Sequence, residues 1–186
     1  MAMGGEASGA VREMRPVREW GLDPMCFAHV RLLGFDLLAL RPVPHMQGSF
    51  SRKGRPVRKV EIMGIVVAVD RKERYLRFTL DDGTGCVPCI LWTNHASFMA
   101  TTPAKGLELQ ARQELANGTA AKVKLGEVLR VQGRLSTFAN QIQVTVASLQ
   151  VEQDPNAEVL HWLECMRLAK CCYDLDPPSQ TKSPHR

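Results

Sequence analysis

Two adjacent carboxylates, Asp81 and Asp82, and a Cys-x-x-Cys pair, Cys86 and Cys89, are the first residues here whose types and spacing could do chemistry. The carboxylates could hold a metal or share acid–base work. They open the run Asp81-Asp82-Gly83-Thr84-Gly85, however, where Asp and Gly serve the backbone of a tight turn, and the turn is the preferred reading. A zinc ribbon needs a second, similarly spaced cysteine pair, which Cys165, Cys171 and Cys172 do not make. Strand thiols are usually core residues. No histidine pairs with a nucleophile and no GxxxxGK[ST] phosphate loop occurs, so catalysis has no support and neither metal nor cofactor is expected. What remains is binding chemistry. Trp92 offers a flat ring on which a base can stack, and Arg77, Arg134, Lys122 and Lys124 offer cations for phosphates.

Such residues need a frame that points them one way. From Val57 to Asp70, the residues Val60, Ile62, Met63, Ile65, Val66, Val67 and Val69 are too dense and too branched for a surface helix and predict a long strand. Gly64 in its middle suits a bent strand crossing between the sheets of a small barrel. Arg71 to Arg74 make a charged turn, and Tyr75, Leu76, Phe78 and Leu80 give a second strand. After the Asp-Asp-Gly-Thr-Gly turn a third runs from Cys86 to Trp92. Residues 93–120 hold a helix-compatible middle, Leu107 to Leu115. A fourth strand spans Glu127 to Thr137, and a tight turn near Ala139 and Asn140 leads to the fifth, Gln141 to Val151.

Upstream, Asp23 as N-cap, Pro24 at the first helical position, and Phe27, Val30, Leu33, Phe35, Leu37 and Leu38 at mostly helical intervals predict a short N-terminal helix ending before Pro42. Downstream, Asp154 and Pro155 start a helix over about 155–173, with Val159, Trp162, Leu163, Met166 and Tyr173 near one face. Five short strands with a helical connector between the third and fourth match a mainly β, five-stranded Greek-key barrel, the OB-fold. On that barrel Arg77, alternating with Leu76 and Phe78, points off the core toward a ligand or solvent. Trp92 stands where the binding face begins, and either stacks on a base or closes the barrel end.

With 186 residues, 45% of them hydrophobic, the chain supports one core with appendages. The expected division is a disordered N-terminus over 1–19, an OB-fold domain over 20–174 and a disordered tail over 175–186. A net charge of +5, from 24 basic against 19 acidic residues, favours contact with nucleic acid over charge-driven coating of it. Residues 41–58 read as an extended basic loop. Its cations and their neighbour, Arg52, Lys53, Arg55, Arg58 and Lys59, form a solubilising stretch, a phosphate patch or a nuclear-import signal. Met1 to Ala10 lacks the apolar core of a signal peptide and Asp36 interrupts the most apolar later stretch, so a soluble intracellular chain without membrane contact, its cysteines reduced, is expected.

Several separated motifs carry a more specific likeness. Trp20-Gly21-Leu22-Asp23-Pro24, the run from Arg55 to Gly64, Asp81 to Gly85 followed by Cys89-Ile90-Leu91-Trp92, and Leu125-Gly126-Glu127 ahead of Val131-Gln132-Gly133 keep one order over residues 20 to about 176. In these the chain resembles the N-terminal domain of the Stn-subunit family of CST, the trimeric telomere-capping complex similar in architecture to replication protein A. The resemblance implies a heterodimer with a small Ten-type OB-fold subunit through the C-terminal helix, anchorage by a large CST subunit, and binding of single-stranded telomeric DNA. It also implies support of C-strand fill-in by DNA polymerase alpha–primase, and a nuclear, telomeric location. Trp92 matches a DNA-contacting tryptophan of the family, and Phe138 a tyrosine in the same role. Family members often continue into winged-helix modules, and this sequence, ending at Arg186, is read as a short form lacking them. The alternative is a general single-strand-binding subunit like the middle subunit of replication protein A. A terminal helix that only plugs the barrel is the alternative to a partner-binding one.

Overall fold

The computed structural model describes Met14, residues 16–93 and residues 103–175. The elements are β1 (His29–Arg31), α1 (Gly34–Leu38), β2 (Arg41–Pro42), β3 (Phe50–Arg52), β4 (Arg55–Val57), β5 (Lys59–Arg71), β6 (Tyr75–Asp81), β7 (Cys86–Trp92), α2 (Pro103–Ala121), β8 (Val128–Phe138), β9 (Gln141–Val151) and α3 (Ala157–Leu168). β5, β6, β7, β9 and β8 neighbour one another in that order, and β8 returns to pair with β5, which closes a five-stranded Greek-key barrel.

Alternation dictates the barrel's two faces. Along β6, Leu76, Phe78 and Leu80 turn inward while Tyr75, Arg77 and Thr79 stay on the outside. Leu76, Phe78 and Leu80 join Val60, Ile62, Val66, Val87, Cys89, Leu129, Val131, Leu135 and Val144 in one continuous core. Removing each such side chain from water contributes about 1.5–3 kcal/mol. β5 must serve two partners at once, and Gly64 is where this is tightest. A Cβ there would meet the Asp81 carbonyl oxygen at 2.6 Å, so glycine is what lets β6 approach. Ala120 and Val123, at and beyond the end of α2, are buried in the same core.

The N-terminal region departs from the expected helix. Asp23 does cap, accepting from the Met25 N–H, but the turn it starts is a 3-10 turn over Pro24–Cys26. Val30 then lies in β1, paired in parallel with Val60, and only Gly34–Leu38 is α-helical. Phe27, Phe35 and Leu38, which supplied half of the helical spacing, are exposed. Val17 to Glu19, placed in the disordered N-terminus, belong to a 3-10 turn over Val17–Leu22. Apart from Met14 and Pro16, the rest of that tail lies outside the described residues, as does the C-terminal one beyond Leu175.

The basic loop is likewise structured. β2, β3 and β4 form a small antiparallel sheet, and two of its arginines are buried rather than solvated. Arg55 grips Asp23 through Nε–Oδ2 at 2.9 Å and Nη2–Oδ1 at 2.7 Å, and its Nη1 donates to the carbonyls of Cys172, Tyr173 and Leu175. Arg52 pairs with Asp36 at 2.9 Å and Asp174 at 3.4 Å. A guanidinium supplies several donors in one plane, so one buried arginine ties the N-terminal motif to the chain's last described residues.

Candidate nucleic-acid interface

Cross-strand register assembles the site. Partners in a ladder face the same side, and on the outer face Tyr75 stands opposite Trp92, while Arg77 stands opposite Ile90. Ile90 pairs with Thr145 of β9, and Thr145 with Arg134 of β8. β8 ends at Phe138, where a two-residue turn with Ala139 at φ 48° and Asn140 at φ 61° reverses the chain. That mirror-image turn matches the strand twist and brings Phe138 over β6.

The rings and one cation form a continuous row. Trp92, 44% exposed, meets Tyr75 edge to face with ring centres 5.7 Å apart. The Arg77 guanidinium lies 5.2 Å from the Tyr75 ring and 4.3 Å from that of Phe138, itself 53% exposed. Two cation–π contacts therefore hold Arg77 between the rings, and its buried Nε has no hydrogen-bond partner among the described residues. Beside it a cleft of about 310 Å³ opens between Asp70, Thr79, Pro88, Gln141 and Gln143. Exposed rings for stacking, a planar donor group and a mainly apolar cleft edged by Asp70, Gln141 and Gln143 are the chemistry of a single-strand site.

The residues expected from sequence do not all meet here. Trp92, Phe138 and Arg77 come together, and Arg134 shares their face two strands from Arg77's neighbour Ile90. Lys122 and Lys124 are exposed on the connection from α2 to β8, which Arg71 fastens by donating to the carbonyls of Ala120 and Val123. No hydrogen bond, ion pair or ring contact joins these lysines to the row. Tyr75, in the sequence only a residue of the second strand, joins the row here; its place two residues before Arg77 is the signal that puts it on this face. Cys86 and Cys89 fall on opposite faces of β7, one exposed and one buried, and burial pushes the Cys89 thiol well up. Asp81 accepts from Gly83 N–H, while Asp82 accepts from Gly34, Thr84 and Gly85 N–H groups, so both carboxylates are occupied by the turn.

A second surface lies on α3. Ala157, His161 and Cys165 are buried against the sheet, whereas Val159, Leu160, Trp162, Leu163 and Met166 remain exposed. Trp162 also covers Gly83, coming within 3.4 Å of where a Cβ would stand. Tyr173, expected on the same face, is not exposed with them. A π-type turn over Ala169–Tyr173 swings it inward, it is 9% exposed, and its hydroxyl accepts from the Arg31 N–H at 3.1 Å. Beneath the helix lies a polar layer. Glu61 takes Arg31 at 2.9 Å, Arg130 at 3.2 Å and Gln132 at 2.6 Å, and Arg31 also pairs with Glu164. Burial raises the Glu61 pKa, but the Gln132 bond and the two guanidiniums outweigh it and hold the carboxyl below its ordinary value. Burial, aided by Arg130, lowers that of His161, whose Nε2 lies 3.4 Å from Cys165 Sγ. No helix among the described residues is long and apolar enough to cross a membrane.

A closed five-stranded barrel bearing this row defines an OB-fold nucleic-acid-binding domain, and the family described as OB-fold nucleic acid binding domain matches residues 60–152. The chain is 40% identical over 149 residues to CST complex subunit STN1 of Arabidopsis thaliana, across 78% of this chain and 91% of that one. The chain belongs to the STN1 family. It is 29% identical to CST complex subunit STN1 of Bos taurus over 90% of its own length but only 48% of the relative's, so it spans about half of that longer protein. Among solved structures, a chain of the S. pombe Stn1–Ten1 complex superposes with a TM-score of 0.62 at 22% identity, covering 77% of this chain and 92% of that one. A replication protein A heterotrimer bound to single-stranded DNA gives 0.58 at 17%, covering 77% and 96%. These two likenesses concern the fold.

Proposed function

We propose that this chain is the OB-fold subunit of a CST-type telomere-capping complex, a binding rather than a catalytic component. It holds single-stranded telomeric DNA on the Trp92–Tyr75–Arg77–Phe138 row and pairs through α3 with a small Ten-type OB-fold subunit. The observation that carries the reading is that exposed row on a barrel of the STN1 family. The unpartnered apolar face of α3 supports the pairing, since aromatic residues and Met are enriched where proteins meet. A large subunit anchors both, and the assembly works at chromosome ends in the nucleus, protecting them and supporting C-strand fill-in by polymerase alpha–primase. Stacking without base-specific bonds makes the isolated chain a weak, salt-sensitive binder that relies on its partners.

The test is co-purification from nuclear extract of tagged full chain beside its Met166→Glu variant. A small OB-fold subunit and telomeric DNA should come with the wild type alone, while circular dichroism shows both proteins folded. Recovery of replication protein A subunits in their place would make this a general single-strand-binding subunit.

A further inference from the structure

Lys59 on β5 and Arg134 on β8 stand directly opposite each other. Like charges so placed destabilise a strand pair, and nothing offsets them: among the described residues neither forms an ion pair. The next carboxylate along that face, Glu61, is taken by Arg31, Arg130 and Gln132. Alternation puts Lys59 on the Glu61 side and Arg134 on the Gln132 side, and the Glu61–Gln132 bond shows that these are one face.

The opposed cations continue the aromatic row. On the outer face of β8, Phe138, Ser136 and Arg134 follow at every second position, about 7 Å apart. Ser136 Oγ lies 3.0 Å from Thr145 Oγ1, and Thr145 is the cross-strand partner of Arg134. A ring, two hydroxyls and two cations thus lead away from Arg77 in a line.

We propose that a single strand leaving Phe138 runs along β8, its backbone phosphates met first by the Ser136 and Thr145 hydroxyls and then by Lys59 and Arg134 together. The phosphate is the shared counter-charge that the opposed pair lacks in the free protein, and the pair is a phosphate clamp that weakens the empty barrel. This rests on the row being the DNA-binding surface.

The experiment titrates fluorescein-labelled dT18 with the full chain between 50 and 200 mM salt, about the range over which phosphate contacts dominate, using wild type, Trp92→Ala and the double variant Lys59→Gln/Arg134→Gln. The double variant should bind about tenfold more weakly, and its slope of log affinity against log salt should shrink by about 1.4, two contacts at ~0.7 each. Its thermal midpoint should rise by about 1–3 °C as the repulsion goes. Trp92→Ala should weaken binding with the slope kept. A double variant with an unchanged slope, beside a weakened Trp92→Ala, overturns the clamp and leaves the row. A lower midpoint in the double variant makes the pair structural and also overturns it. No dT18 binding by wild type overturns row and clamp together.

Discussion

Ala139 sits in the left-handed region at φ 48°, with its neighbour Asn140 at 61°, and this is the residue on which the aim of Phe138 depends. A left-handed conformation costs a non-glycine residue about 1–2 kcal/mol, and Asn tolerates it better than Ala. Ala139→Gly should therefore stabilise the barrel by about 1 kcal/mol after the added freedom of the unfolded chain is counted, a rise of about 2–4 °C in thermal midpoint by circular dichroism. A fall would show that the Ala139 methyl packs in the cleft it lines. The same scale explains what the sequence hid and what it displayed at the site. Arg77 was legible because strict alternation with Leu76 and Phe78 leaves it one direction. Tyr75 was not, because a ring at the start of a strand suits core and surface equally, and only its contacts with Trp92 and Arg77 decide.

At the scale of elements, the barrel strands were legible and the N-terminal block was not, for one physical reason. β5 to β9 carry dense β-branched or alternating residues that admit a single periodicity, so their positions and order follow from local pattern. Residues 24–57 owe their shape to distant partners. Val30 is drawn into β1 by Val60, and Arg52 and Arg55 are drawn inward by Asp36, Asp174 and Asp23. Local spacing contains none of these. The consequence is measurable. Arg55→Lys keeps the charge but loses the two-pronged grip on Asp23 and the bonds to residues 172, 173 and 175. A single ammonium cannot replace donors that point at Asp23 and at three carbonyls together, and a hydrogen bond to a charged group contributes about 1.5–3 kcal/mol, so the variant should lose about 2–3 kcal/mol in urea denaturation.

For the molecule as a whole, acid should loosen what the polar layer under α3 holds. His161 has its folded pKa lowered, so the unfolded chain takes up a proton first as pH falls. Stability is then complete above the ordinary histidine value of about 6.5 and declines below it as the pH approaches the lowered folded value. Glu61, also lowered, adds a second decline beginning near the ordinary carboxyl range and continuing through its folded value. Thermal midpoints measured from pH 8 to 4 should fall in these two stages, and His161→Gln should remove the first while leaving the second. A wild-type curve that is flat between pH 7 and 5 would show that His161 protonates without cost to α3.

The grip of Arg55 on the last described carbonyls has a mechanical side. Cys172, Tyr173 and Leu175 are fastened within one guanidinium's reach of Asp23, so chain running out from either end of the barrel departs from a common anchor point. Tension between those two leads would load the Arg55–Asp23 pair with its carbonyl bonds, and the pairs of Arg52 and Lys53 with Asp174, before any barrel strand is pulled from the sheet. The barrel can therefore serve as an undeformed bead on a taut line, its ring-bearing surface keeping its shape while its flanks are tugged.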